Sequence, residues 1–155
     1  MNKRIFTLMA LLTLTAIVSV ACATGAAPAA PVAEKTDTDT VDLLSLPKNN
    51  QGYRQASAEQ LASALKAKNF TLVNVHIPYA GEIPQTDALV PFNDIQNNLA
   101  QLPADKNAPV VVYCRSGSMS AAASKTLVGL GYTNIIDISG GMNAWQKMGG
   151  TLVNR

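Results

Sequence analysis

Cys114 stands at the junction of two unlike stretches of sequence. Before it, Pro109-Val110-Val111-Val112-Tyr113 is an uninterrupted β-branched and aromatic run. After it, Arg115-Ser116-Gly117-Ser118-Met119-Ser120 leads directly into an alanine-rich helical pattern. A thiol at such a junction is placed to act as a nucleophile. A buried strand fixes the backbone of the cysteine. Gly117 permits a tight turn that residues with a Cβ resist. Consecutive loop amides and the N-terminus of the next helix can aim N–H groups at the sulfur, a nest for an anion. Such surroundings favour a thiolate over a thiol. A cysteine within a strand is ordinarily a small core side chain. One that closes a strand and opens a glycine-containing loop before a helix points to covalent catalysis.

The elements that must position this loop alternate in type. Tyr53-Arg54-Gln55 reads as a short strand. Ser57 then caps a helix, with Gln60 three residues on completing a capping box, and Leu61, Ala64 and Leu65 carry the helical period to Asn69. Phe70 to Val75 is a buried strand. Residues 77–91 hold three prolines and a glycine and read as a loop, with a brief strand at Ala88-Leu89-Val90. Asn93 is placed to cap a short helix through Ile95 and Leu99, stopped by Pro103. Pro109 to Tyr113 is the clearest strand, Ser118 to Leu130 a helix stopped by Gly131, and Asn134 to Ile138 a further strand. Gly140-Gly141 punctuates the chain before a last helix from Met142 to Met148. Strands alternating with helices, and continuously apolar, imply a parallel sheet covered on both faces. In open α/β sheets, chemistry sits beyond the carboxyl ends of the strands; Cys114 is at such an end.

Composition narrows the function further. The 155 residues suit one domain. Removing residues 1–21 takes away Lys3 and Arg4 and leaves 10 basic against 10 acidic side chains, so no basic stripe for nucleic acid is expected. Two cysteines cannot build a disulfide framework. With a single histidine they fall short of a closed zinc site, and no metal and no cofactor are expected.

The chain opens with an export signal. Met1 to Arg4 is basic, Ile5 to Val20 is an apolar run of sixteen residues, and small residues follow. That run is short for a permanent spanning helix. Val18-Ser19-Val20-Ala21-Cys22 resembles a bacterial lipobox, which would make Cys22 the lipidated first residue of a membrane-anchored lipoprotein. Ala21-Cys22-Ala23 also fits an ordinary signal peptidase site, whose cut would discard Cys22 and release a soluble secreted or periplasmic protein. Residues 22–48, rich in Ala, Pro and Thr at their start, read as a flexible tether. Residues 49–155 remain for the folded domain, whose first packed residues are expected between Val41 and Gln51.

The chain resembles the rhodanese-like domain family. Val111 to Gly117 is similar to the family's V-Y-C-R-S-G active-site stretch. Ser120-Ala121-Ala122-Ala123 with Leu127 continues its S-x-x-A-A…L helix. Gly131 to Ile135 is similar to its G-Y-x-N-V strand entry, and Gly140 to Trp145 to its G-G-x-x-A-W motif. The resemblance spans roughly Tyr53 to Gly150 and implies a three-layer α/β fold, a parallel sheet of about five strands with helices on both faces. It also implies sulfur transfer. Cys114 would take a sulfane sulfur from a donor such as thiosulfate or a persulfide, carry it as a persulfide, and pass it to a thiol or cyanide. The amides of Arg115, Ser116, Gly117, Ser118, Met119 and Ser120 would bind the persulfide, and Arg115 would attract an anionic donor. The family also contains non-catalytic binding modules and permits dedicated carriers that hand sulfur to a protein partner.

Three departures stand out. Met119 replaces an Arg that many relatives carry, which removes one cation from the expected pocket mouth and predicts weak use of thiosulfate. Asn74-Val75-His76 replaces D-V-R, and Gly81-Glu82-Ile83-Pro84 replaces G-H-I-P. His76 is expected to fill the structural place of that Arg rather than act as a base. A phosphatase of related loop would need Arg six positions after the cysteine to clamp phosphate, and Ser120 stands there. No C-x-x-C exists for a thioredoxin-like role, and Gly129-Leu130-Gly131 is not a dinucleotide fingerprint.

Overall fold

The structure, a computed structural model, describes residues 40–155. The expected export signal, Cys22 and most of the expected tether fall outside the described residues. Five strands form one sheet: β1 (Arg54–Ala56), β2 (Thr71–Asn74), β3 (Ala88–Leu89), β4 (Val110–Tyr113) and β5 (Ile135–Ile138). Their order is β1-β5-β4-β2-β3, and every pairing is parallel. Three α-helices accompany them: α1 (Ala58–Ala64), α2 (Ser118–Gly129) and α3 (Gly141–Lys147).

The two-residue period of a strand sorts side chains between two apolar layers. Val111, Tyr113, Ile136 and Ile138 pack with Leu61 of α1 and with Met142 and Trp145 of α3. Val110, Val112, Cys114, Val73 and Ile135 pack on the other face with Ala123 and Leu127 of α2. All four residues of β4 are wholly buried, as an uninterrupted β-branched run in a central parallel strand requires. Each such side chain contributes about 1.5–3 kcal/mol by leaving water.

Local signals set the helix ends. Ser57 Oγ accepts from the Gln60 N–H while Gln60 Oε1 accepts from the Ser57 N–H, the reciprocal box expected at α1. The α-helix stops at Ala64 and tightens into a 3-10 turn at Leu65–Ala67, short of Asn69. α2 ends in a Schellman motif. Gly131 turns to φ +91, its N–H donates to Val128 O, and the Tyr132 N–H donates to Leu127 O.

Two expectations change. The segment after Asn93 is a kinked 3-10 turn, Gln96–Gln101, with Ile95 at its N-cap and Asn98 at φ −114. The side chains of Asn97 and Asn98 turn instead to Asp94, so side-chain bonds compete with the backbone ladder. The packed chain also begins ahead of residue 49. Leu43, in a 3-10 turn at Leu43–Ser45, is buried against α1, with Val41 and Leu46 packed beside it. Four apolar side chains within six residues give that stretch enough to bury, which the Ala/Pro/Thr run before it lacks.

Candidate active site

Parallel strands all end at one edge of the sheet, and β4, the middle strand, delivers Cys114 there. Cys114 is the first residue past β4. Its side chain continues the β4 alternation onto the α2 face and is 1% exposed. The Gly117 N–H donates to Cys114 Sγ at 3.0 Å. Gly117 sits at φ +104 as the N-cap of α2, a conformation that residues with a Cβ rarely adopt. Ala121 is the first helical donor, to Gly117 O at 3.0 Å, and no side chain caps the helix. The amides of Ser118, Met119 and Ser120 are thus the first-turn donors that an α-helix leaves without an internal acceptor.

The opposite side of the loop is closed. The carbonyl of Cys114 accepts from the Met142 N–H and that of Arg115 from the Asn143 N–H, both at 2.9 Å. The first turn of α3 therefore takes up the loop's oxygens and leaves its amides for the sulfur. This contact is possible because residue 141 has no side chain. A Cβ on Gly141 would sit 2.0 Å from Cys114 O.

The expected loop residues take distinct places. Arg115, Ser116 and Ser118 are exposed. Arg115 borders a cleft of about 300 Å³ with Ala80, Met142, Asn143, Gln146 and Leu152. Met119 is half-buried and packs on the α2-side apolar layer that also holds Cys114. Ser120 is wholly buried and donates to Gly117 O at 3.1 Å. Trp145 and Tyr132 are packing residues: the indole N–H donates to Thr151 O and the Tyr132 hydroxyl to Pro103 O.

The segment 77–91 supplies the other wall, fastened at two points. The Tyr113 hydroxyl accepts from the Ile83 N–H at 3.0 Å and shares a 2.6 Å hydrogen bond with Thr86 Oγ1. Burial pushes this phenol up to about 12, so it stays neutral. Glu82, at the His position of the G-H-I-P motif that this segment resembles, is buried and accepts from Arg155 Nε with both carboxylate oxygens at 3.0 Å. His76 is half-buried. Its N–H donates to Asn74 Oδ1, and burial, then the Arg115 charge, lower its proton affinity.

Sequence reasoning missed two residues that shape the site. Gly141 was legible only as punctuation, although a Gly-Gly pair opening a helix is a signal of close backbone approach. In the sequence Asp137 is only one more residue of a buried strand. A lone carboxylate in an otherwise apolar run was the available signal.

The arrangement sets a thiol in an amide-lined loop between a central strand and a helix. A Rhodanese-like domain profile matches residues 57–148, more than half of the chain, and the chain belongs to that family. A "Sulfurtransferase" of Allochromatium vinosum is 33% identical over 100 residues, covering 61% of this chain and 90% of the relative. "Thiosulfate sulfurtransferase GlpE" of Pseudomonas entomophila is 33% identical over 100 residues, covering 61% and 86%. The crystal structure of a rhodanese-related protein from Thermoplasma volcanium aligns with a TM-score of 0.56 at 29% identity, over 65% of this chain and 98% of that one. The family and these relatives support sulfur transfer as the general activity.

Proposed function

We propose that this protein is a sulfurtransferase that works through a persulfide on Cys114. With thiosulfate as donor, the Cys114 thiolate attacks the outer sulfur. A new S–S bond forms, the old one breaks, and sulfite leaves with the bonding pair. A thiolate or cyanide then attacks the outer sulfur of the persulfide and carries it off as a persulfide or thiocyanate, which regenerates the Cys114 thiolate. Neither step needs a metal, a cofactor or a general base. The observation that carries this reading is the Gly117 N–H on Cys114 Sγ, beside first-turn amides free to receive a second, charged sulfur. Incubation with thiosulfate or an organic persulfide should add about 32 Da to Cys114, one sulfur atom in the covalent intermediate, and cyanide should remove it. No adduct with any sulfane donor defeats the proposal. An adduct that passes to a protein thiol, but not to cyanide, marks a dedicated carrier.

The same reading places the enzyme outside the cytoplasm, on the outer face of a bacterial membrane and held by a lipid on Cys22. Support comes from the basic start, the apolar run and the lipobox-like Val18 to Cys22. Cys22→Ser should move the protein from the membrane fraction to the soluble exported fraction. A parent protein already soluble outside the cell membrane would favour the cut after Ala23.

A further inference from the structure

The cleft beside Arg115 carries side chains that the sulfur chemistry above does not use. Two backbone bonds fix its place. The Asn143 N–H donates to Arg115 O and the Met142 N–H to Cys114 O, both at 2.9 Å. The cleft therefore opens against the loop, at the residue bonded to the nucleophile. Met142, 1% exposed, is the buried part of its lining. Asn143 and Gln146, three apart on α3, present one exposed helix face to it. Ala80 and Leu152 close the other side.

That other side is fastened by the protein itself. Glu82 and Val153 each donate a backbone N–H to the other's carbonyl at 2.9 Å, and Arg155 holds the Glu82 carboxylate. Gly81 packs on Leu152, where a Cβ would stand 3.5 Å from two side-chain carbons. A cleft of about 300 Å³ with walls so fixed is of the preformed kind that small ligands use.

The lining has one cation and no acid. Among the described residues the Arg115 guanidinium has neither an ion pair nor a hydrogen bond, and the side-chain amides of Asn143 and Gln146 have no protein partner. A guanidinium takes a carboxylate bidentately. Side-chain amides both donate and accept. Met142, Leu152 and Ala80 offer apolar surface to methylene groups. Diatomic cyanide has no body to meet these groups while it attacks sulfur, and thiosulfate has no carbon for them.

We propose that this cleft is the acceptor subsite and selects a small organic thiol that bears a carboxylate, with Asn143 and Gln146 as specificity-determining residues beside Arg115. The inference rests on Cys114 being the sulfur carrier. The carboxylate seats on Arg115, and the thiolate of the same molecule attacks the outer sulfur of the Cys114 persulfide. A new S–S bond forms, the bond to Cys114 Sγ breaks, and its electron pair stays on Cys114 as the thiolate. The acceptor leaves as an organic persulfide.

The test uses the whole protein, loaded with sulfur from thiosulfate or an organic persulfide. Mercaptopropionate, which has a carboxylate, is compared with mercaptoethanol, which has a hydroxyl. Loss of the sulfur adduct is followed by mass and corrected for the thiolate fraction of each thiol. The carboxylate should be favoured about tenfold in second-order rate constant, the effect of one charge-assisted hydrogen-bonded pair. Arg115→Gln should remove the preference. Gln146→Glu, at an exposed helix position where Glu suits the backbone as well as Gln, puts an anion in the cleft and should bring the ratio to one or below. A second arm needs no sulfur transfer. Cys114 alkylation by iodoacetate, relative to iodoacetamide and to the same pair on the urea-unfolded protein, should show the same preference and the same losses. Equal relative rates in either arm, or a preference that survives in R115Q or Q146E, overturns the proposal. A carboxylate preference in alkylation without any sulfur loading supports the subsite and overturns the sulfur-carrier reading instead.

Discussion

Cys114→Ser should abolish both the sulfur adduct and turnover, with a loss of at least about 10³-fold in kcat/KM. The hydroxyl of serine is nearly isosteric but far less acidic, and nothing in the loop serves as a base to activate it. The Gly117 N–H, 3.0 Å from the sulfur, stabilises charge but accepts no proton. The substitution leaves the fold intact, because the side chain is a small buried group of similar shape. Loss of activity with an unchanged melting curve is the expected pair of results. Residual turnover above about one part in 10³ would move the nucleophile away from Cys114.

Gly141→Ala should be the most damaging single methyl group among the described residues. The added Cβ would meet Cys114 O at 2.0 Å and Cys114 C at 2.8 Å. Backbone atoms cannot rotate aside as a side chain can, so α3 and the loop must separate. The bonds from Met142 and Asn143 to the loop carbonyls are then lost together. We expect a stability loss of about 3 kcal/mol and a fall in kcat/KM of about 10²-fold, the scale of an ångström displacement at a reacting atom. Gly149→Ala is the control. That position also has positive φ, but a Cβ there meets nothing within 4 Å, so its cost should stay near 1 kcal/mol. Equal melting temperatures for the two variants would show that the close approach at Gly141 carries no weight.

Much of this architecture was legible in the sequence because the decisive signals were local. The Ser57–Gln60 box, the Val110–Tyr113 run and Gly131 after α2 each state a physical requirement within a few residues, and the structure meets all three. The segment after Asn93 misled because its asparagines satisfy Asp94 before they satisfy a helix. Whether the first turn of α2 points Met119 outward or inward depends on how that helix docks against the sheet, which no local signal carries. Asp137 was hidden by the same kind of fact: its register partners Val112 and Gln55 are separated from it by 25 and 82 residues in the chain. Period alone showed that the strand is buried, and only tertiary packing shows which neighbours the carboxyl finds.

Tyr113 and Cys114 are adjacent in sequence yet serve opposite layers. The phenol anchors segment 77–91 through Ile83 and Thr86, with the Glu82–Arg155 pair as a second fastening, while the thiol belongs to the loop bounded by α2 and α3. The wall and the sulfur cradle thus meet at one peptide bond and are fastened by different hydrogen bonds. Such a division makes the site modular. Ala80, which is exposed and lines the cleft beside Arg115, should be exchangeable to suit a different sulfur acceptor without recalibrating the cradle. Selection, natural or in the laboratory, can therefore tune whom this enzyme serves independently of how it carries sulfur.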